Sequence, residues 1–188
     1  MSSDVLLVMR AADFAARRHT EQRRKGAARE PYTNHLTEVA LLLAEAGKGI
    51  DGPLIAAGIL HDTLEDTVTE YEELVAVFGA DVAGLVSECT DDKSLPKAER
   101  KRLQIETAAS KSERARLIKI ADKTSNLRTI VASPPEDWSA ARSLEYVDWA
   151  EQVVSRCRGL NASLDQAFDT AVAEAKAAIA SRGPRRTA

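Results

Sequence analysis

Apolar residues recur along this chain at three- and four-residue intervals, with recognisable stops between the runs, which is the spacing of helices that each bury one face. No run alternates apolar and polar residues well enough to predict a strand. The expected fold is therefore all-α, a helical bundle of roughly eight to ten helices in a single domain. A first helix is expected from about Asp4 to Gln22, with Val5, Val8, Met9, Ala12 and Ala16 as its buried stripe. A loop from Gly26 to Thr33 containing Pro31 follows, and a second helix from about His35 to Ala46 carries Val39, Leu42 and Leu43 and stops at Gly47. Asp51 can cap a third helix with Pro53 in its first turn, and this one is apolar on all sides from Leu54 to Leu60. A helix without a polar face belongs at the centre.

Thr69-Glu70-Tyr71-Glu72 matches a capping box, predicting a short helix to about Phe78 that ends at Gly79, and Asp81 is placed to cap the next. Pro96 opens a strongly charged helix to about Ala109. Ser112 can cap a long helix through Leu117, Ile120, Leu127 and Val131, which Pro134 and Pro135 terminate. Two amphipathic helices, about Ser139 to Arg158 and Ser163 to Ser181, close the chain, with Gly159 between them. The expected domain spans residues 1–181, and residues 182–188 read as a disordered tail. No internal repeat or low-complexity stretch is found, and no second catalytic domain is expected.

Composition narrows the function. The 188 residues fit one domain, and 44% apolar residues supply its core. A net charge of −3 gives the whole molecule no bulk attraction for polymeric nucleic acid or an anionic membrane, so an anionic ligand needs a local basic cluster. Cys89 and Cys157 form no C-x-x-C pair, which speaks against a disulfide framework or thiolate zinc and suits a reducing compartment. No apolar run approaches the roughly 18 residues that span a bilayer, and no signal pattern opens the chain. A cytoplasmic location is expected.

The chemistry-bearing residues cluster in three places. His61 and Asp62 end the apolar third helix, where an unpaired carboxylate would cost on the order of several kcal/mol, so a cation is expected nearby. Taken alone, the pair also fits a core histidine beside a capping acid. On the long helix, at about 100° per residue, Asp122, Asn126 and Thr129 share one line flanked by Ile118 and Ile130. That line is either a polar seam facing a site or a solvated outer face. Arg24 and Lys25, with Arg17, Arg18 and Arg23, form a basic cluster suited to phosphate oxygens, and Tyr32 lies close in sequence. The second basic run, Lys97, Arg100, Lys101 and Arg102, is expected to be a solvated face, although Lys97 could reach a diphosphate.

The order of these motifs resembles a known family: Arg24-Lys25, Pro31-Tyr32 with His35, His61-Asp62-Thr63-Leu64-Glu65-Asp66-Thr67, then Ala121-Asp122-Lys123 with Asn126-Leu127-Arg128. It is similar to the HD-superfamily hydrolase domain of the RelA/SpoT proteins, most of all to the stand-alone small alarmone hydrolases. The resemblance implies a metal site of His35, His61, Asp62 and Asp122 holding one divalent ion, manganese. It implies that Glu65 and Asp66 activate and orient the attacking water. It also implies nucleotide contacts from Arg24, Lys25, Asn126, Thr129 and Tyr146, and Tyr32 could add base stacking. Two departures stand out: Leu36 follows His35 where the family most often has proline, and the loop from Gly26 to Glu30 is long. His19 matches no ligand and is expected at the surface.

The function so implied is metal-dependent removal of the 3′-pyrophosphate of ppGpp or pppGpp, giving GDP or GTP and pyrophosphate, without synthetase activity. The rivals are the same chemistry on another phosphorylated nucleotide such as NADPH, and a non-catalytic alarmone-binding protein on the same scaffold. The expected partner is the guanine nucleotide alone; a homodimer is left open.

Overall fold

The structure, a computed structural model, describes residues 3–47 and 51–182. Ten α-helices and one short 3-10 turn make up its regular structure, and no strand occurs among the described residues. In chain order they are α1 (Ser3–Arg18), α2 (Thr33–Ala46), α3 (Gly52–Leu60), α4 (Thr63–Asp66), α5 (Tyr71–Phe78), α6 (Ala80–Cys89), α7 (Lys97–Thr107), the 3-10 turn (Ala108–Ser110), α8 (Glu113–Ala132), α9 (Ala140–Ser155) and α10 (Ala162–Ser181).

The all-apolar α3 is the axis of the bundle. Asp51 caps it by accepting the Leu54 amide at 3.0 Å, and every residue from Leu54 to Leu60 is buried against α1, α2, α6 and α8. Each large aliphatic side chain there contributes roughly 1.5–3 kcal/mol by leaving water. Because His61 is the next residue, this packing fixes the site's depth. The long α8 lies against α2, α6 and α10, and Ser112 caps it through the Ala115 amide at 3.2 Å, as its sequence predicts.

Several local expectations need correction. In α1 the buried residues are Ala11 and Ala15, whereas Val5 is 40% and Met9 61% exposed, and Ala16 is exposed too. The fully buried residues of α1 are small, Ala11 and Ala15, where it packs on α3; Leu7, Val8 and Phe14 reach the core only in part, and Val5 and Met9 turn outward. The capping box before α5 does not form: the N-cap is Glu70, with no side-chain cap, and the Thr69 hydroxyl bonds to Thr67 Oγ at 2.9 Å. Nor does Asp81 cap α6: the N-cap lies two residues earlier, at Gly79 with φ +86°, and Asp81 pairs with Arg114 at 3.0 Å. Val131, expected in the core, is 36% exposed. Arg182, expected in a frayed tail, donates to the Ile130 and Val131 carbonyls, while residues 183–188 lie outside the described residues.

The loop carrying Arg24 and Lys25 is tied to the end of α8. The Ala28 amide donates to Ser133 Oγ at 2.8 Å, the Ala27 amide to the Pro134 carbonyl at 3.2 Å, and Arg24 N to the Glu30 carbonyl at 2.9 Å. Gly26 is pressed so close to this anchor that a Cβ would sit 2.2 Å from the Ser133 carbonyl oxygen. Gly26→Ala should therefore push the basic loop off α8 and cost about 1–3 kcal/mol, the range for overpacking. Denaturant unfolding checks this, and a wild-type midpoint would contradict the anchoring.

Candidate active site

His35 enters from α2, His61 and Asp62 from the junction of α3 and α4, and Asp122 from α8. His35 Nε2 lies 3.4 Å from Asp122 Oδ1 and 3.7 Å from Asp62 Oδ2; His61 Nε2 lies 3.1 Å from Asp62 Oδ2 and 3.8 Å from Asp122 Oδ1. Three of the four, His35, His61 and Asp62, present donor atoms within 4.8 Å of one another. Asp62 is the residue before α4 yet makes no side-chain cap, so its carboxylate is free to face the imidazoles.

Hydrogen bonds behind the rings decide which nitrogen faces the carboxylates. Ser125 spends its hydroxyl proton on Glu38 Oε2 at 2.6 Å and so accepts from His35 Nδ1 at 2.9 Å. His61 Nδ1 donates to the Gly58 carbonyl at 2.8 Å. Both rings thus turn an Nε2 lone pair toward the same two carboxylates, and His61 Nε2 is buried without a hydrogen-bond partner among the described residues. Lone pairs facing carboxylates repel unless a cation lies between them. Two imidazoles and two carboxylates with backed nitrogens fit a divalent ion.

The electrostatics agree. Burial disfavours a charge on either ring; for His35 it prevails and lowers the pKa, whereas Asp62 and Asp122 overcome it at His61 and raise the pKa well above the usual histidine range. Against the burial that would raise them, Asp62 is held low by His61, and Asp122 by Lys123 and the two histidines. Lys123, buried with Nζ 2.7 Å from Asp122 Oδ2, also lies 4.6 Å from the Trp149 ring centre.

His61, Asp62 and Asp122 line a cavity of about 940 Å³, with His35 buried behind them. Glu65 and Asp66 project from α4 into it. Glu65 accepts from the Asp91 amide at 3.2 Å and Arg100 at 3.3 Å, and burial together with the Asp62 charge raises its pKa. Asp66 accepts from Gln22 Nε2 at 2.8 Å and pairs with Lys93. Asn126 and Thr129 line the cavity as the polar seam predicts, so the solvated-face alternative is excluded. Asn126 also donates to Asp122 Oδ1 at 2.6 Å and accepts from the buried Arg24 at 3.4 Å. Lys25 and Tyr146 line the cavity. Tyr32 does so too, with its hydroxyl on Asp62 Oδ2 at 2.5 Å and its ring between His19 and His35, each 5.3 Å away.

Two expectations fail here. His19 is buried, not a surface residue, stacked on Tyr32 with Nδ1 2.5 Å from Gln22 Oε1. The second basic run is not simply a solvated face: Lys97, Arg100 and Lys101 line the cavity, and only Arg102 turns away, to Glu99 and Glu106. Burial and then the neighbouring Lys25, Arg142 and Arg100 lower the Lys97 pKa. Beside it stand Trp138, Tyr146 and Trp149, with centroids 5.5 and 5.4 Å apart in sequence order. The spacing of Lys97, Lys101 and Gln104 at i, i+4 and i+7 could have revealed this face. Glu38, one turn after His35, and Ser125 carried no signal of their own.

A helical fold with a His-His-Asp cluster over a water-accessible cavity defines a metal-binding α-domain, and the chain belongs to the HD domain family, which matches residues 11–150. It is 48% identical over 169 residues to the guanosine-3′,5′-bis(diphosphate) 3′-pyrophosphohydrolase MESH1 of Xenopus tropicalis, covering 90% of this chain and 94% of that protein. The protein of the same name from Homo sapiens is 48% identical over 168 residues, covering 89% and 94%. A solved structure described as a metazoan ortholog of SpoT that hydrolyzes ppGpp and plays a role in starvation responses superposes with a TM-score of 0.85. It is 42% identical, with 97% of both chains covered. No helix among the described residues is long and apolar enough to cross a membrane.

The Asp62 and Asp122 charges that raise the His61 pKa make a proton compete with a cation for Nε2. Metal affinity should therefore rise with pH, with a proton released as the ion binds. Calorimetric titration in two buffers of different ionisation enthalpy counts that proton; buffer-independent heat would contradict it.

Proposed function

We propose that this chain is a guanosine-3′,5′-bis(diphosphate) 3′-pyrophosphohydrolase, with residues 1–181 as its catalytic unit and manganese as its metal. The observation that carries this is the pair of backed Nε2 lone pairs converging with two carboxylates at the floor of a cavity whose walls are an acidic pair and a cationic face. The relatives that share nearly the whole chain carry that activity in their names. A cytoplasmic location is part of the proposal, consistent with the buried, unpaired Cys89 and Cys157.

A divalent ion held by His35, His61, Asp62 and Asp122 would polarise the phosphoryl oxygens and lower the pKa of water at the site. The remaining work falls to side chains. Glu65, made more basic by burial, takes a proton from the attacking water, while Asp66 orients that water. The water oxygen bonds to the phosphorus attached to the ribose 3′-oxygen. The bond from that phosphorus to the 3′-oxygen breaks, the oxygen takes up a proton to become a hydroxyl, and pyrophosphate departs from GDP or GTP. Lys25, Lys97, Arg100 and Lys101 offset the negative charge of the phosphates, and Thr129 and Tyr146 contact the nucleoside. Arg24, Tyr32 and Asn126 reach the nucleotide from the ring of bonds that also holds Asp62 and Asp122.

Manganese-loaded protein should convert ppGpp to GDP plus pyrophosphate with a higher kcat/KM than NADPH or a nucleoside monophosphate in the same panel. Asp66→Asn should lower kcat about 10²-fold or more, the scale of general acid–base catalysis, without loss of metal. No turnover of ppGpp at micromolar enzyme would reject the assignment.

A further inference from the structure

We propose that His19 is a positioning residue that acts through Gln22 on Asp66. This rests on the assignment of Asp66 as the residue that orients the attacking water.

His19 sits just beyond α1 and is 2% exposed, an unusual place for a polar ring that contacts neither the metal ligands nor the cavity surface. Its Nδ1 lies 2.5 Å from Gln22 Oε1, and Gln22 Nε2 donates to Asp66 Oδ2 at 2.8 Å. Asp66 already accepts from Lys93 at its other oxygen. A carboxylate can only accept from the amide, so the amino end of Gln22 must face Asp66 and its carbonyl must face His19. His19 therefore carries its proton on Nδ1, and that one donor decides which way round the Gln22 amide sits. Without it the amide can reverse and turn its oxygen toward the carboxylate, displacing Asp66.

The surroundings hold the pair in register. The His19 amide donates to the Ala15 carbonyl at 2.9 Å, Gln22 N to the His19 carbonyl at 3.0 Å, and Tyr32 N to the Gln22 carbonyl at 3.1 Å. The His19 ring lies against Tyr32 at 5.3 Å, whose hydroxyl donates to Asp62. His19 Nε2 is buried and has no hydrogen-bond partner among the described residues, so a second ring proton would have no acceptor there. One turn of chain thus orients a residue that handles water while touching neither substrate nor metal.

The test uses the full chain with ppGpp. His19→Phe keeps the ring against Tyr32 but removes the donor; it should lower kcat roughly tenfold or more while KM and bound metal stay within about twofold of wild type. His19→Asn, whose amide nitrogen stands where Nδ1 was, should recover most of the loss. Gln22→Met, at a half-buried position that tolerates the change, should match His19→Phe, and the double variant should be no worse than Gln22→Met alone. In metal-free protein, nitrogen NMR should show the His19 proton on Nδ1 in the wild type. Additive losses, failure of His19→Asn to rescue, or a proton on Nε2 would overturn the positioning role. If wild-type protein or Asp66→Asn violates the functional assignment, the NMR result still stands or falls separately.

Discussion

Two imidazoles that point the same nitrogen at the same place hold this structure's chemistry together. Neither ring chooses that orientation alone. His35 is turned by a serine that has already given its proton to Glu38, and His61 by a carbonyl of its own helix. The first arrangement requires α2 and α8 to be packed in register, because Ser125 comes from α8, and the two rings meet only if α3 is held against both. A close approach of α2 and α3 is built in: a Cβ on Gly58 would lie 2.5 Å from Leu43 Cδ1. Misplacing α2 or α8 by an ångström would unpair the buried His35 Nδ1, which costs on the order of 1–3 kcal/mol before any metal is considered.

Charge in the cavity is only partly paired, Arg100 with Glu65 and Lys93 with Asp66. Asp62, Glu65, Asp66 and Asp122 supply its carboxylates, and Lys97, Arg100 and Lys101 line it from α7. A metal ion answers the carboxylates and a polyphosphate the cations, so a phosphate ester bridging the two satisfies both. The overall charge of −3 conceals both groups. Lys123 shows how tightly the acidic side is balanced, since it is buried beside Asp122 and over Trp149.

The helical fold was legible because most of its devices are local. Asp51 and Ser112 cap as their positions in the chain imply, and the apolar run of α3 could only be central. The failures share one cause, that tertiary contact decided between locally equivalent options. The face of α1 that packs on α3 centres on Ala11 and Ala15 and leaves Met9 exposed; α5 is N-capped at Glu70 and Thr69 bonds to Thr67 instead. In the site, His35, His61, Asp62 and Asp122 were legible because their motifs are written in consecutive residues or along one helix. Ser125, Glu38, Gln22 and His19 were not, because what they do depends on partners up to 90 residues away. The basic face of α7 was visible in its spacing, but a charged stripe looks the same whether water or a cavity lies beyond it.

No residue of α7 is buried, and Trp149 Nε1 on the Lys101 carbonyl at 3.1 Å is one of few bonds attaching it to the rest of the bundle. The helix that presents the cationic wall is therefore nearly independent of the core that fixes the histidines. Changes along Lys97, Lys101 and Gln104 carry little penalty in folding and touch neither the histidines nor Glu65, whereas Arg100 reaches Glu65 at 3.3 Å and is tied to the hydrolytic centre. Selection can thus retune which phosphorylated compound is admitted while bond breaking is inherited unchanged, so diversification of substrate within this scaffold has an open path through a single peripheral helix.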